Sequence, residues 1–109
     1  AVVENSMITD GCVVNGTVDF SIIFEGVTIE AGATVTDSII MPGSVIKSGA
    51  IVEYAIVGEN CTVGSGVHIG ARPETFETRD DWGIAVVGHN ITISENAKVL
   101  PKQIISENM

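Results

Sequence analysis

Aliphatic residues recur along this chain at a nearly fixed interval. Val3, Ile8, Val14, Val18, Ile23, Ile29, Val35, Ile40, Ile46, Val52, Val57, Val63 and Ile69 are mostly six residues apart; every third step is five, and the step from Val14 to Val18 is shorter still. Six residues on a helix turn through about 600°, which would smear the series around the axis. In extended chain an even step keeps the side chains on one face, so the pattern predicts short strands joined by sharp corners. Three strands make one turn of a triangular tube. Its columns are Val3, Val18, Val35, Val52 and Ile69; then Ile8, Ile23, Ile40 and Val57; then Val14, Ile29, Ile46 and Val63.

The same ladder appears as a phrase stated four times. Val3 to Cys12 returns from Val18, from Val35 and from Val52, at offsets of 15, 17 and 17 residues. A repeat this short, with its aliphatics in register, is the signature of a solenoid whose turns stack on one another. In the six-residue steps the third position after the aliphatic is Gly or Asn: Gly11, Gly26, Gly32, Gly43, Gly49, Asn60, Gly66, Asn90 and Asn96. These residue types tolerate the positive φ of a tight corner. The five-residue steps carry Ser6, Ser21, Ser38 and Ala55 instead, a different corner type.

Between Ile69 and Val87 the step is 18 residues where five is due, which leaves a 13-residue insertion within residues 70–86. The ladder is then expected to resume in phase with Val87, Ile93, Val99 and Ile104 inward. The fold class is therefore all-β, a single-stranded parallel β-helix of about six turns with one inserted loop, forming one domain over residues 1–109. Its weak point is the first turn, which has no cap, so the isolated domain is expected to associate or be fragile at that end.

Composition sharpens the picture. Hydrophobic residues make up 45% and charged residues 17%, which suits a packed chain and not a disordered one. The apolar residues are mostly Val and Ile, which favour strands. The net charge of −9 opposes nucleic acid and anionic membranes, and both are excluded as partners. No apolar run reaches the length of a membrane span, and no signal-like run opens the chain, so a soluble cytoplasmic protein is expected. A removed leader is compatible with a chain that begins inside a repeat. Cys12 and Cys61 share a column three turns apart, roughly 14 Å at ~4.8 Å per strand, too far to bridge. Two free thiols acting as small core fillers are predicted.

Runs such as Val57-Gly58-Glu59-Asn60-Cys61-Thr62 and Val63-Gly64-Ser65-Gly66-Val67-His68 resemble the hexapeptide repeat of left-handed parallel β-helices. Within that superfamily three stretches look like the C-terminal domain of glucose-1-phosphate adenylyltransferase. They are Asp37 to Gly43, Ala55 to Asn60 and Gly83 to Gly88, and the insertion before the last turn fits as well. The resemblance implies a left-handed tube serving assembly and allosteric coupling. Its partners would be the catalytic domain of the same polypeptide, other subunits in a homo- or hetero-oligomer, and an anionic allosteric effector. The family's catalytic domain is N-terminal, with a Gly-rich loop ending in basic residues, and no segment here matches it. The chain is thus expected to be inactive alone and to carry no catalytic residue, cofactor or metal.

Two other chemistries deserve comparison. A stand-alone hexapeptide acyltransferase would need a general-base histidine, and His68 or His89 would serve. His68 precedes Ile69 and is predicted to point outward, His89 lies at a corner, and neither has a carboxylate at a spacing that fixes its orientation. A three-histidine metal site is out of reach with two histidines. A structural oligomerisation module of another sugar-nucleotide enzyme is the remaining alternative. The residues singled out as regulatory or interface candidates are Arg72, Phe76, Arg79 and Trp82 in the insertion, with Lys98 and Lys102. Two aromatics in the loop of an aromatic-poor chain point to docking, either on the tube or on a partner.

Overall fold

A computed structural model describes residues 2–71 and 83–109, and it is all β. Three parallel sheets form the sides of the tube. Sheet I stacks β1 (Val2–Glu4), β4 (Thr17–Asp19), β7 (Thr34–Thr36), β10 (Ile51–Glu53), β13 (His68–Ile69) and β16 (Lys98–Val99). Sheet II stacks β2 (Met7–Ile8), β5 (Ile22–Ile23), β8 (Ile39–Ile40), β11 (Ala55–Val57), β14 (Ala85–Val87) and β17 (Ile104–Ile105). Sheet III stacks β3 (Val13–Val14), β6 (Thr28–Ile29), β9 (Val45–Ile46), β12 (Thr62–Val63) and β15 (Thr92–Ile93). Each strand pairs with the strand one turn away, an arrangement consistent with a left-handed β-helix.

From the second turn on, the columns fill the tube as the periodicity predicts; in the first turn, which no turn covers from below, Val3 is 44% exposed and Ile8 and Val14 are half-buried. Val18, Ile23, Ile29, Val35, Ile40, Ile46, Val52, Val57, Val63 and Ile69 are fully buried. The insertion leaves the phase intact, because Val57 pairs with Val87, Val63 with Ile93 and Ile69 with Val99. All nine predicted Gly and Asn corners have positive φ. At the shortened step, Gly16 is buried, and a Cβ there would run into the carbonyl oxygens of Ala33 and Glu30.

One inward assignment is corrected. Ile105, not Ile104, pairs with Val87 and packs against the core, whereas Ile104 is 74% exposed. The step from Val99 is six residues, with its corner at Lys102 (φ 70°). A lysine in the place otherwise held by Gly or Asn hid that corner from the pattern.

The second corner type turns through positive φ as well, at Asn5, Phe20, Asp37 and Tyr54 (φ 47–49°). Such a φ is uncommon for Asn or Asp and a true outlier for an aromatic. At Asn5, Phe20 and Asp37 the serine that follows holds the corner. Ser21 Oγ donates to Asp19 O (2.9 Å) and accepts from the N–H of Ser38 (3.1 Å). Ser38 Oγ donates to Thr36 O (2.7 Å) and accepts from the N–H of Ala55 (3.2 Å). Ser6 begins this hydroxyl ladder, with its Oγ accepting from the N–H of Ser21.

Both cysteines are free, as predicted. Cys61 is buried with its Sγ donating to Gly88 O, while Cys12, in the first turn, is half-buried with its Sγ donating to Phe24 O. At the opposite end the tail adds a layer on sheet III. The N–H of Met109 donates to Thr92 O and the N–H of Ser94 donates to Met109 O. Among the described residues no helix is long and apolar enough to cross a membrane.

Candidate functional site

Side chains that alternate away from the core make the outer faces, and each sheet presents a different chemistry. On sheet I the column next to the core reads Thr17, Thr34, Ile51, His68 and Lys98 in register. Beyond it stand Asp19, Thr36 and Glu53. The polar functional groups converge where these two columns meet the root of the insertion.

There, Nε2 of His68 lies 2.8 Å from Oε1 of Glu53. The histidine side chain is 41% exposed and the carboxylate 16%. This corrects the expectation that neither histidine has an orienting carboxylate. The partner lies one turn below, two positions past Ile51, the register mate of His68. A stacked turn brings together residues that local spacing keeps apart. In the neutral ring, donation of Nε2–H to Glu53 leaves the lone pair on Nδ1, the arrangement of an imidazole oriented as a base. His89 is also engaged, with its Nδ1 accepting from the N–H of Glu59 (2.9 Å).

The chain leaves the ladder just beyond His68. Gly70 takes φ 78°, and a Cβ on it would collide with the carbonyl oxygen of Glu53, so the backbones of two turns meet there as only glycine allows. Beside it a cleft of about 200 Å³ opens between His68, Gly70 and Ala71 on one turn and residues 98–101 on the next. Lys98 reaches this cleft, adjacent to His68 along the sheet. Lys102 does not: it forms the last corner, where its N–H donates to Gly83 O (3.3 Å). Arg72, Phe76, Arg79 and Trp82 lie outside the described residues. Of the two candidates among the described residues, Lys98 lies beside His68 at this cleft and Lys102 does not line it.

Sheet II differs from both other faces. Its outward column is Met7, Ile22, Ile39, Ile56, Val86 and Ile104, apolar on every turn. Phe24 and Met41 follow on the same side, half-buried, and Phe20 sits exposed at the corner before β5. The sequence held a signal for this face in the doublets Ile22-Ile23, Ile39-Ile40, Ile56-Val57 and Val86-Val87. A tube wall with water outside needs only the second member of each doublet to be apolar.

The repeat, the three-sided tube and the corner chemistry agree with the comparison of the chain with known families. Residues 1–93 match the family described as GlmU-like, C-terminal hexapeptide. The chain belongs to that family. Shorter stretches of this hexapeptide chain match curated relatives. Glucose-1-phosphate adenylyltransferases of Bacillus thuringiensis (strain Al Hakam) and Bacillus anthracis are each 51% identical over 35 residues, 32% of this chain and 9% of theirs. That of Bacillus cereus (strain Q1) is 52% identical over 33 residues, 30% of this chain and 9% of the relative. The matched stretch thus spans about a tenth of the curated relatives' length.

Among solved structures, perosamine N-acetyltransferase from Caulobacter crescentus aligns with a TM-score of 0.38 and 19% identity, over 99% of this chain and 50% of that one. A hexapeptide transferase family protein from Anaplasma phagocytophilum aligns with a TM-score of 0.35 and 14% identity, over 94% and 72%.

Proposed function

We propose that this hexapeptide domain is the C-terminal β-helix of a glucose-1-phosphate adenylyltransferase, serving assembly and regulation in the cytoplasm. The whole enzyme would join ATP and glucose 1-phosphate to give ADP-glucose and pyrophosphate, with the transfer performed by a separate catalytic domain. The supporting observation is the 51% identity to such enzymes over 35 residues, within a chain whose repeat matches a C-terminal hexapeptide family. The architecture suits the role, since a stack of turns is a rigid spacer that presents long faces to neighbours. Sequencing the gene upstream of the codon for Ala1 tests the reading. A Gly-rich nucleotide loop ending in basic residues is expected there, and an open reading frame without such a domain overturns it.

A second reading has one specific observation in its favour, the His68–Glu53 pair at 2.8 Å. An acyltransferase would use His68 to take a proton from an acceptor amine or hydroxyl as it attacks a thioester carbonyl; the C–S bond then breaks and the thiolate leaves with that proton, Glu53 holding the imidazole throughout. Calorimetric titration of the chain with acetyl-coenzyme A separates the two readings. The assembly domain should give no heat of binding at millimolar ligand, whereas saturable binding abolished by His68→Ala would favour the transferase.

A further inference from the structure

The corner between Val14 and Val18 makes the shortest step of the ladder, and it holds a reactive pair. We propose that Asn15-Gly16 is a site of spontaneous modification, where the asparagine loses ammonia and becomes aspartate or isoaspartate. The site is far from the His68–Glu53 pair in the sequence and plays no part in the adenylyltransferase reading.

The first support is the neighbour. The chain has six asparagines, and only Asn15 is followed by glycine. The reaction begins when the backbone nitrogen of the next residue attacks the side-chain carbonyl carbon. A side chain on that residue crowds the approach, and glycine has none. The other five asparagines precede Ser6, Cys61, Ile91, Ala97 and Met109.

The second support is the nucleophile. Asn15 is exposed, and the N–H groups on either side of the pair's bond are differently engaged. The N–H of Asn15 donates to Ile29 O and that of Thr17 to Ala33 O, whereas among the described residues the N–H of Gly16 has no acceptor. At three other asparagines the corresponding N–H is tied down. That of Cys61 donates to Ser44 Oγ, that of Ala97 to Ser94 O and that of Met109 to Thr92 O.

The third support is packing, which keeps the glycine in place. Gly16 is buried, and a Cβ there would lie 2.5 Å from Ala33 O and 2.8 Å from Glu30 O. The close approach of the next turn therefore demands the residue that makes Asn15 reactive. The corner also adjoins the half-exposed first turn, where the local opening that frees the backbone to cyclise is least costly.

The Gly16 nitrogen bonds to Cγ of Asn15, the Cγ–Nδ2 bond breaks, and the amide nitrogen leaves as ammonia with the proton of the Gly16 N–H. Water then adds to either carbonyl of the resulting succinimide. Opening at Cγ gives aspartate. Opening at the α-carbonyl routes the chain through the side chain and adds a methylene to the backbone. Val14 pairs with Ile29, and Val18 with Val3 and Val35, so a longer chain between them strains the register on both sides. The isoaspartyl form should loosen the first turn.

Peptide mapping by mass spectrometry of the full chain, held folded in mildly alkaline buffer, tests the proposal. The Asn15 peptide should gain one mass unit and split into two isomers at least tenfold faster than any other asparagine reacts. Asn15→Gln should abolish the change, because its longer side chain closes a ring far more slowly. The isolated isoaspartyl chain should unfold at lower temperature than the original, while Asn15→Asp, which has the charge without the methylene, should unfold with it. The proposal is overturned if another asparagine converts first. It is equally overturned if Asn15 stays intact in the folded chain while the urea-unfolded chain converts fully. An isoaspartyl chain as stable as the original would overturn the predicted loosening. None of these outcomes bears on the adenylyltransferase assignment, which the upstream gene sequence decides.

Discussion

Ser38 Oγ accepts the amide proton of Ala55 at 3.2 Å while donating its own to Thr36 O at 2.7 Å, so one hydroxyl closes a corner and ties it to the next turn. An alanine at this position would leave the Ala55 N–H buried without its acceptor. Ser38→Ala should cost about 1–3 kcal/mol, the price of one unsatisfied buried donor. Ser6→Ala, in the half-exposed first turn, should cost less than half as much. Urea titration of the two variants checks the ordering.

Register at the last turn is testable by paired truncation. Ile105 packs against the core and Ile104 faces outward. Ile105→Ala should lose about 2 kcal/mol, the low end for an aliphatic truncated where neighbours can partly collapse. Ile104→Ala should change stability by less than about 0.5 kcal/mol. The opposite ordering in thermal unfolding would restore the register that the aliphatic spacing alone suggests.

Burial pushes the Cys61 thiol above its ordinary value, against the pull of hydrogen bonds with the backbone of Ile91, Asn90 and Gly58 and with Ser44. A thiol whose folded value is raised contributes stability that is complete below its unfolded titration. That contribution is lost as pH climbs through the folded value. The chain should therefore lose stability on the alkaline side, and Cys61→Ala should flatten that decline. Iodoacetamide near neutral pH should label Cys12 well before Cys61, as mass spectrometry of the native chain would show.

Gly70 is the least replaceable residue of the candidate site. A side chain there meets two penalties, a φ of 78° and the carbonyl oxygen of Glu53. Gly70→Ala should cost about 1–2 kcal/mol for the left-handed conformation alone, and more for displacing the neighbouring turn. Gly49→Ala shares the positive φ but has only ordinary contact, with Gly66 N at 3.7 Å, and should cost less. Chemical denaturation of both variants gives the comparison.

The His68–Glu53 pair should matter little to folding, since the imidazole is 41% exposed. Glu53→Gln should shift stability by less than about 1 kcal/mol. A larger loss in urea titration would show that the pair holds the root of the insertion in place.

Most of the tube was legible because its constraint is local and repeated. Each inward aliphatic is fixed by the step from the one before, and each Gly or Asn corner declares its own backbone. What escaped depends on the stacking of turns. Glu53 and His68 are 15 positions apart, and only a 17-residue turn brings them within reach. The same holds for Ser21 and Ser38, whose hydroxyl ladder appears in the sequence only as a different corner. Lys102 escaped for another reason: its corner has the conformation of the Gly and Asn corners without the residue type that signals it.

The insertion leaves at Gly70 and the ladder resumes at Ala85, so the pairings across it join residues 30 apart, such as Ala55 with Ala85 and Thr62 with Thr92. Elsewhere paired residues are 15 to 18 apart. By the logarithmic law of loop closure, going from 17 to 30 costs only about 0.5 kcal/mol. A stacked tube can therefore acquire new sequence at a corner with almost no loss of foldability. Every rung closes a loop of nearly the same length, so adding rungs lengthens the molecule without making any one closure harder. A protein built this way can evolve a longer reach or a new appendage one turn at a time.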